Sequence, residues 1–211
     1  MYRPYLQRLI DQFIAEAEID ELSRAREEHA ALTGWFEDDE EWFDERMTHF
    51  HDWYILDRTG DDGLTPAERY LKDNDEALSP EEKVYFEGLT LTHSSAFAVE
   101  NWNTERILME DLIGGGKWAV CRDMPMEGFA QQDIISCRLV PAGDMIYMGR
   151  SIIAHPRQAH ESIREILDLS RSRKELEWSL ADKLLKMRLK FDRYPNMRLK
   201  HVYRDPRLPV L

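Results

Sequence analysis

The sequence predicts an α+β fold: an N-terminal helical region, a small five-stranded antiparallel, barrel-like sheet, and a long C-terminal helix with an extended tail. Three patterns support this. Apolar residues recur at helical spacing in the first 90 residues, and short runs rich in Val, Ile, Trp and Tyr follow between Gly and Pro. A second helical pattern begins after Pro156. We expect three regions, at residues 1–91, 92–156 and 157–211.

Four helices are expected in the first region. An apolar stripe that includes Leu6 and Ile10 predicts a helix over residues 4–31. The acidic block Glu37–Glu41 is expected to open a second helix, because acidic side chains suit the positive end of the helix dipole. Two Ser/Thr-Pro-x-Glu segments, which begin at Thr65 and Ser79, have the form of capping boxes. They predict helices at residues 66–74 and 80–90.

Short strands joined by tight turns are expected in the middle region. Gly114–Gly116 and Pro141–Asp144 contain the residue types that make turns. The number and shortness of the strands favour a strongly curved sheet or a barrel of the OB or SH3-like sort. The predicted strands cover residues 96–102, 105–113, 117–123, 133–140 and 145–154.

The C-terminal region is expected to be one helix over residues 157–192 with an apolar face that includes Leu180, Leu184 and Met187. The tail after it is expected to be extended, because Pro206 and Pro209 forbid regular helix there.

Charge is sorted along the chain, which has a net charge of −13. Residues 1–90 hold 25 Asp/Glu against 9 Lys/Arg, whereas residues 169–211 hold 5 against 12. Such a distribution of charge affects the choice of binding partners and the electrostatic steering of ligands more than it affects the fold. It defines two candidate interaction surfaces. The basic face consists of Arg173, Lys174, Lys183, Lys186, Arg188, Lys190, Arg198 and Lys200, and the acidic face of Glu37, Asp38, Asp39, Glu40 and Glu41.

The basic C-terminal segment, residues 169–211, allows three interpretations. It can bind along a phosphate backbone, it can pack on the acidic residues 1–90 of the same chain, or its tail can dock on another protein. Trp102 and Trp118 would stack on bases if they faced outward from the sheet. The negative total charge argues against nucleic-acid binding by the whole surface.

A cytoplasmic protein is expected. No apolar run approaches the roughly 18–20 residues of a membrane span, and no signal-peptide pattern begins the chain. Cys121 and Cys137 lie in apolar, strand-like stretches, which predicts buried free thiols in a reducing compartment.

No catalytic residue, metal or cofactor is predicted. Asp57–Glu68 has some of the spacing of an EF-hand loop, but Asp62 stands where the loop needs Gly. A divalent ion there would use Asp57, Asp61 and Glu68. A capping box explains Thr65 and Glu68 equally well.

Nuclease chemistry of the HEPN type needs Arg followed closely by His. Three pairs have that spacing: Arg24 with His29, Arg46 with His51, and Arg150 with His155. Chance produces about two such pairs in a chain of this composition, so the spacing is weak support.

Three segments carry a family resemblance: Phe50–Asp57, Gly63–Leu71 and Gln132–Pro141. Together they resemble uncharacterised bacterial proteins that join a helical Trp-aromatic-x-x-Asp and Thr-Pro-x-Glu-Arg segment to a small β-domain. Those proteins are related to proteins with the SEC-C zinc motif, which is absent here because no Cys follows Cys137. The resemblance implies architecture and a bacterial source, and it transfers no catalytic residue. Asp57 is expected to cap a helix or pair with Arg69.

The expected function is a non-enzymatic bacterial adaptor or regulatory accessory protein that acts through protein–protein interaction. The resemblance suggests a mobile-element or anti-phage, CRISPR-type defence system as its setting. The alternative is a nucleic-acid-binding module that uses the β-domain and the basic C-terminal segment. A metal-dependent or HEPN-like nuclease is the third hypothesis.

Overall fold

The structure is a computed structural model that describes residues 1–173, 178–194 and 196–204; the side chains of Trp178 and Ser179 are outside this description. The helices are α1 (Arg3–Phe13), α2 (Ile19–Thr33), α3 (Phe43–Leu56), α4 (Pro66–Asn74), α5 (Pro80–Thr90), α6 (His160–Ser172), α7 (Trp178–Arg193) and α8 (Leu199–Val202). The strands are β1 (His93–Trp102), β2 (Arg106–Asp111), β3 (Lys117–Cys121), β4 (Ile134–Ala142) and β5 (Met145–Ala154).

The α+β prediction is confirmed, but the sheet is open and the barrel prediction is wrong. The strand order is β3-β2-β1-β4-β5, so β3 and β5 are opposite edges. A closed barrel is not required to bury the apolar side chains of the sheet, because helices cover them. Ala96 and Ala98 of β1 pack in one cluster with Ile163 of α6 and Leu184 of α7.

The alignment of two neighbouring strand pairs shows the register of this part of the sheet. Strand β1 pairs antiparallel with β2 and places Phe97 opposite Asp111, with an irregularity between Val99 and Asn101. Strand β2 pairs antiparallel with β3 and places Glu110 opposite Lys117. The glycine-rich turn predicted between β2 and β3 is confirmed.

The two capping boxes are confirmed and begin α4 and α5. Thr65 N donates to the Glu68 carboxylate at 2.8 Å, and Glu68 N donates to Thr65 Oγ1 at 3.2 Å. Ser79 and Glu82 form the same reciprocal pair. These bonds satisfy backbone N–H groups that the first helical turn leaves without partners.

Two helix predictions near the N-terminus are wrong. Residues 14–18 separate α1 from α2, although this segment contains no Gly or Pro to interrupt a helix. Packing is the physical reason, because both helices contribute to the core of unit 1, α1 through Leu6 and Leu9 and α2 through Ala25. The acidic block Glu37–Glu41 lies in turns before α3, whose own first turn contains Asp44 and Glu45.

The C-terminal predictions need correction as well. A 3₁₀ turn precedes α6, and α6 ends at Ser172, so the helix is not continuous over 157–192. Leu199–Val202 forms a short helix where an extended tail was expected. Burial of Val202 and Tyr203 explains this helix, since both side chains belong to an apolar core. Residues 174–177, 195 and 205–211 lie outside the described part, and the last seven residues of the predicted extended tail are among them.

The chain forms two compact units, each made of three segments. Unit 1 contains Met1–Ala31, Phe36–His93 and Arg138–Ser151. Unit 2 contains Leu32–Trp35, Ser94–Cys137 and the described residues of Ile152–Leu211. The division into regions at residues 91 and 156 stays a prediction.

Each unit has its own apolar core. The core of unit 1 includes Leu6, Leu9, Phe50, Ile55, Phe86, Leu89 and Val140. The core of unit 2 includes Ala96, Ala98, Ile134, Ile163, Ile166, Leu167, Leu180, Leu184 and Tyr203. Cys121 and Cys137 are both buried thiols that are not joined in a disulfide, as predicted. Among the described helices, none has the length and apolar character to cross a membrane.

A cationic pocket lined by helices α7 and α8

Unit 2 contains a cavity of about 460 Å³ whose described lining is dominated by basic side chains. Helix α7 supplies four of the lining residues, and α8 with the residues after it supplies three. The lining consists of Lys183, Lys186, Met187, Lys190, His201, Val202 and Arg204.

Helical periodicity explains why three lysines meet here. Lys183, Lys186 and Lys190 are spaced three and four residues apart, so they share one face of α7 over about 10 Å of its length. A different face of the helix carries Leu180 and Leu184, which are buried in the core of unit 2. Burial of the apolar face therefore turns the lysine face toward solvent.

Two buried side chains position α8. Val202 and Tyr203 are almost fully buried, which anchors the four-residue helix to the core of unit 2. The Tyr203 hydroxyl hydrogen-bonds His155 Nδ1 at 2.9 Å, and His155 Nε2 hydrogen-bonds Ser136 Oγ at 2.8 Å. The anchor leaves His201 exposed at the pocket.

The described lining combines cationic and apolar residues. Three lysines, His201 and Arg204 line the cavity together with Met187 and Val202, and most of the lining surface is apolar. Cations gathered in a concave site focus a positive potential, and charge-assisted hydrogen bonds are stronger than neutral ones.

The pocket unites only part of the predicted basic face. Lys183, Lys186 and Lys190 line it, whereas Arg188 lies on another side of α7 and pairs with Asp192 at 2.6 Å. Arg173, Arg198 and Lys200 are exposed but do not line the pocket, and Lys174 lies outside the described residues.

Two lining residues, His201 and Arg204, were not predicted from the sequence. They are three residues apart, which would have placed them on one side of a helix. Because this segment was expected to be extended, the helical spacing of the two residues was not considered.

The predicted acidic face is a turn segment. Glu37, Asp38, Asp39 and Glu41 are exposed, and Glu40 is half-buried. Asp38 accepts a hydrogen bond from Arg26 at 3.2 Å.

Three polar residues of the segments behind the family resemblance, Asp52, Asp57 and Arg138, form ion pairs in unit 1. Asp57 is the C-cap residue of α3, which confirms one of its two expected roles. Its carboxylate pairs with Arg138, whereas Arg69 pairs with Asp62. Arg138 also donates to Thr92 Oγ1 at 2.7 Å. Asp52 accepts from Arg150 at 2.5 Å, and burial raises the pKa of its carboxyl group. These contacts tie α3 to the hairpin of β4 and β5.

The loop that resembles a calcium site has internal partners. Asp62 binds the guanidinium of Arg69 at 2.8 and 3.0 Å, and Glu68 belongs to the capping box. In the described ranges, no group of three or more His, Cys, Asp or Glu is placed to hold a metal ion.

The histidines of the nuclease hypothesis lie in structural contacts. His29 Nε2 hydrogen-bonds His49 Nδ1 at 2.9 Å, and Arg24 pairs with Glu21. Burial, together with the positive charge of Arg46, lowers the pKa of His29 to about 4. His155 is the buried link to Tyr203 described above.

Trp102 and Trp118 lie on a packed face of the sheet. Trp102 is opposite Ile107 and Trp118 is opposite Met109, and cross-strand partners share a face. Ile107 and Met109 are fully buried, and both indoles are half-buried. This arrangement favours a packing role over a base-stacking platform.

Comparison with protein-family models, curated proteins and solved structures found no match to this chain.

Proposed function

We propose that this chain is a non-enzymatic adaptor or regulatory accessory protein that binds an acidic segment of another protein at the cationic pocket. One observation supports the proposal most directly: three lysines, a histidine and an arginine line the same concave site. A bacterial setting within a mobile-element or anti-phage defence system is part of the proposal and comes from the resemblance, and a cytoplasmic location is proposed from the two buried thiols.

Acidic peptides fit this site for physical reasons. Clusters of basic side chains are a recurrent means of binding acidic and phosphorylated motifs. Met187 and Val202 can contact the apolar stems of the bound residues while the cations face the carboxylates. The chain as a whole has a negative net charge, which repels anions. Nonspecific binding of an acidic peptide to the rest of the surface is therefore disfavoured.

The test is fluorescence anisotropy with a labelled peptide of alternating Glu and Leu at about 50 mM salt, where screening is modest. The triple variant Lys183→Ala/Lys186→Ala/Lys190→Ala should weaken binding at least about tenfold, the equivalent of one lost charge-assisted hydrogen bond. A matched control, Lys72→Ala/Lys83→Ala/Lys117→Ala, removes the same charge elsewhere and should bind as the parent does. Equal losses in both variants, or no binding by the parent, would contradict the proposal.

A nucleic-acid-binding module is the second candidate. The observation that favours it is the lysine stripe of α7, which continues toward His201 and Arg204 and can follow a phosphate backbone. This candidate predicts that a labelled single-stranded oligonucleotide binds more tightly than the acidic peptide and dissociates steeply as salt rises. Loss of binding should follow substitution of Lys183, Lys186 and Lys190 but not of Arg188, which pairs with Asp192.

A further inference from the structure

We infer that strand β3 pairs edge to edge with β3 of a second copy of this chain, so that two sheets join antiparallel across a two-fold axis at Ala119. Among the described strands, β3 (Lys117–Cys121) has one neighbour, β2, and is therefore an edge strand. The N–H and C=O groups on the outer side of an edge strand can pair with another strand. A dimer of this kind uses none of the described lining of the cationic pocket, so it does not depend on the proposed function.

The hairpin of β2 and β3 determines which backbone groups of β3 point outward. Two hydrogen bonds mark its ends: Asp111 N donates to Gly116 O at 2.9 Å, and Arg122 N donates to Glu105 O at 2.8 Å. In an antiparallel pair, residues alternate between bonding to the partner strand and pointing their backbone groups away from it. The even-numbered residues of β3 therefore bond to β2, whereas the N–H and C=O groups of Lys117, Ala119 and Cys121 point outward.

The outer side of β3 is open at its centre. Lys117 and Ala119 are exposed, and in the described part of the chain the backbone of Ala119 has no hydrogen bond outside the sheet. The Cys121 carbonyl accepts a hydrogen bond from Asp123 N at 3.2 Å and keeps its second lone pair. The turn before β3 also has space around it, because a Cβ at Gly116 would meet no atom within 4 Å.

A second copy of β3 fits this edge because the pattern of the strand is complementary to itself. With Ala119 opposite its own counterpart, Lys117 lies opposite Cys121, and each outward N–H group faces an outward C=O group. Like charges are not opposed in this register, whereas an axis at Lys117 would oppose two lysines. Trp118 lies beside Val120 of the other copy, and an aromatic side chain beside a β-branched one stabilises neighbouring strands.

The exposed face beside the edge favours the same register. Leu108 of β2 lies opposite Ala119 and is 37% exposed. In the joined sheet, Ala119 of one copy lies beside Ala119 of the other, and Leu108 lies next to each of them. Apolar side chains therefore meet at the centre of the interface, where a charged neighbour would oppose pairing.

The dimer is expected to be weak and closed. A strand of five residues on each side buries less than the roughly 1,200 Å² of a stable interface, which places the dimer among transient associations. Growth into longer assemblies would need the opposite edge of the sheet. There, Met148 of β5 is buried, and its carbonyl accepts a hydrogen bond from the Tyr2 hydroxyl at 3.0 Å.

The test is sedimentation equilibrium of the full chain at about 10–500 µM, a range suited to a weak interface. We expect an equilibrium between monomer and dimer without larger species. Each copy has a net charge of −13, so salt screens the repulsion between copies. The affinity should therefore stay constant or rise between about 0.05 and 0.5 M salt, whereas binding of an acidic peptide at the pocket should weaken.

Charge exchange at Ala119 locates the axis. Ala119→Glu and Ala119→Lys each place two like charges opposite one another, and each should weaken dimerisation about fivefold or more. An equimolar mixture of the two variants places opposite charges at the axis and should dimerise more tightly than either variant alone. Val84→Glu adds the same charge at an exposed position of α5 and is the control, which should dimerise as the parent does.

Proline at the same position tests the backbone hydrogen bonds. Ala119→Pro removes an N–H group that bonds to the second copy but not to β2, and proline is compatible with an edge strand at such a position. Dimerisation should weaken at least about tenfold, because each copy loses one hydrogen bond at the axis. Val120→Pro removes an N–H group that bonds to β2 and should destabilise the monomer itself. Circular dichroism and the urea midpoint verify the folding of each variant, and the charge variants decide the outcome if Ala119→Pro does not fold.

A parent chain that sediments as a monomer at every concentration would overturn the inference, and so would equally tight dimerisation of the parent and the Ala119 variants. A monomeric parent that binds an extended peptide at β3 would assign the edge to another protein instead. A dimer without acidic-peptide binding would support this inference and contradict the proposed function. Acidic-peptide binding by a chain that stays monomeric would do the reverse, so the two can fail separately.

Discussion

At the scale of single residues, unit 1 contains a buried arginine that pairs with a partly exposed acid. Arg138 is only 8% exposed at its side chain, and its guanidinium reaches both Asp57 and Thr92. Gly149 accommodates it, because a Cβ at that position would lie 3.0 Å from the Arg138 Cβ. The Asp57–Arg138 pair joins the end of α3 to β4, which gives these residues a structural role.

Removal of the acid should therefore destabilise the fold. Asp57→Ala leaves the Arg138 charge buried with fewer acceptors, and we expect the free energy of unfolding to fall by about 2 kcal/mol. The figure is moderate because the Asp57 side chain is 38% exposed and its charge is partly screened. Urea denaturation provides the measurement. Asp62→Ala, which breaks the exposed pair with Arg69, is the control and should barely move the midpoint.

The histidine pair predicts a specific pH dependence. The pKa of His29 is lowered to about 4, below the ordinary value of 6.5, because burial and Arg46 disfavour the charged ring. Between these two values the unfolded chain binds a proton that the folded chain does not, so stability falls as pH falls. The full effect is about 3 kcal/mol, and about 2 kcal/mol of it is reached at pH 5.

Urea unfolding at pH 7.5 and pH 5 tests this dependence. His29→Gln keeps a group that can hydrogen-bond His49 but does not titrate, so its loss of stability between the two pH values should be smaller than that of the parent. His201→Gln, at an exposed histidine, is the control and should retain the pH dependence of the parent. An identical pH dependence in His29→Gln would refute the assignment.

At the scale of elements, helix α5 packs closely against strand β4 because a glycine lies at their contact. Gly88 lies in α5 where the helix meets β4, and a Cβ there would lie 1.8 Å from the Pro141 carbonyl oxygen. The contact is with backbone, so it cannot be relieved by a side-chain rotation. Close approach of α5 to β4 therefore requires glycine at this position.

Gly88→Ala is expected to lower the free energy of unfolding by at least about 3 kcal/mol, because the added methyl group forces helix and strand apart. Gly63→Ala is the matched control. Gly63 has a φ of +75° but open space around it, so only the backbone cost of about 1 kcal/mol applies. Thermal and urea unfolding of the two variants give the comparison, and equal losses would show that the α5–β4 contact is unimportant.

At the scale of the whole molecule, neither compact unit is a continuous stretch of chain. The core of unit 2 joins Ala96, Ala98 and Ile134 of the sheet to Ile163 and Leu184 of the C-terminal helices. The sheet region and the C-terminal region therefore share one core. A core of this kind is lost when either contributor is removed.

A fragment of residues 1–156, which ends where the predicted β-region ends, should not keep unit 2 folded. Its β1 and β4 side chains would expose the apolar surface that α6 and α7 cover. We expect aggregation, or binding of a hydrophobic dye, with loss of cooperative unfolding relative to the full chain. A fragment that is monomeric and unfolds in one sharp transition would contradict this expectation.

The cationic pocket shows how far the sequence could predict a site. Lys183, Lys186 and Lys190 were found because charge and helical spacing are local properties of the chain. Arg188 does not line this pocket and pairs with Asp192, because that pairing depends on which side of α7 faces the core. His201 and Arg204 were missed, because α8 forms when Tyr203 and Val202 enter a core made by distant segments.

By itself, the sequence determined the features that depend on neighbours along the chain: the α+β class, the capping boxes that begin α4 and α5, the turns, and the sorting of charge. Tertiary structure alone decided whether the sheet closes, where the first helix breaks, and which basic side chains meet in one pocket. The physical reason is that helix propensity, capping and turn chemistry act over a few residues. Sheet closure and pocket formation depend on which apolar surfaces cover one another across the chain.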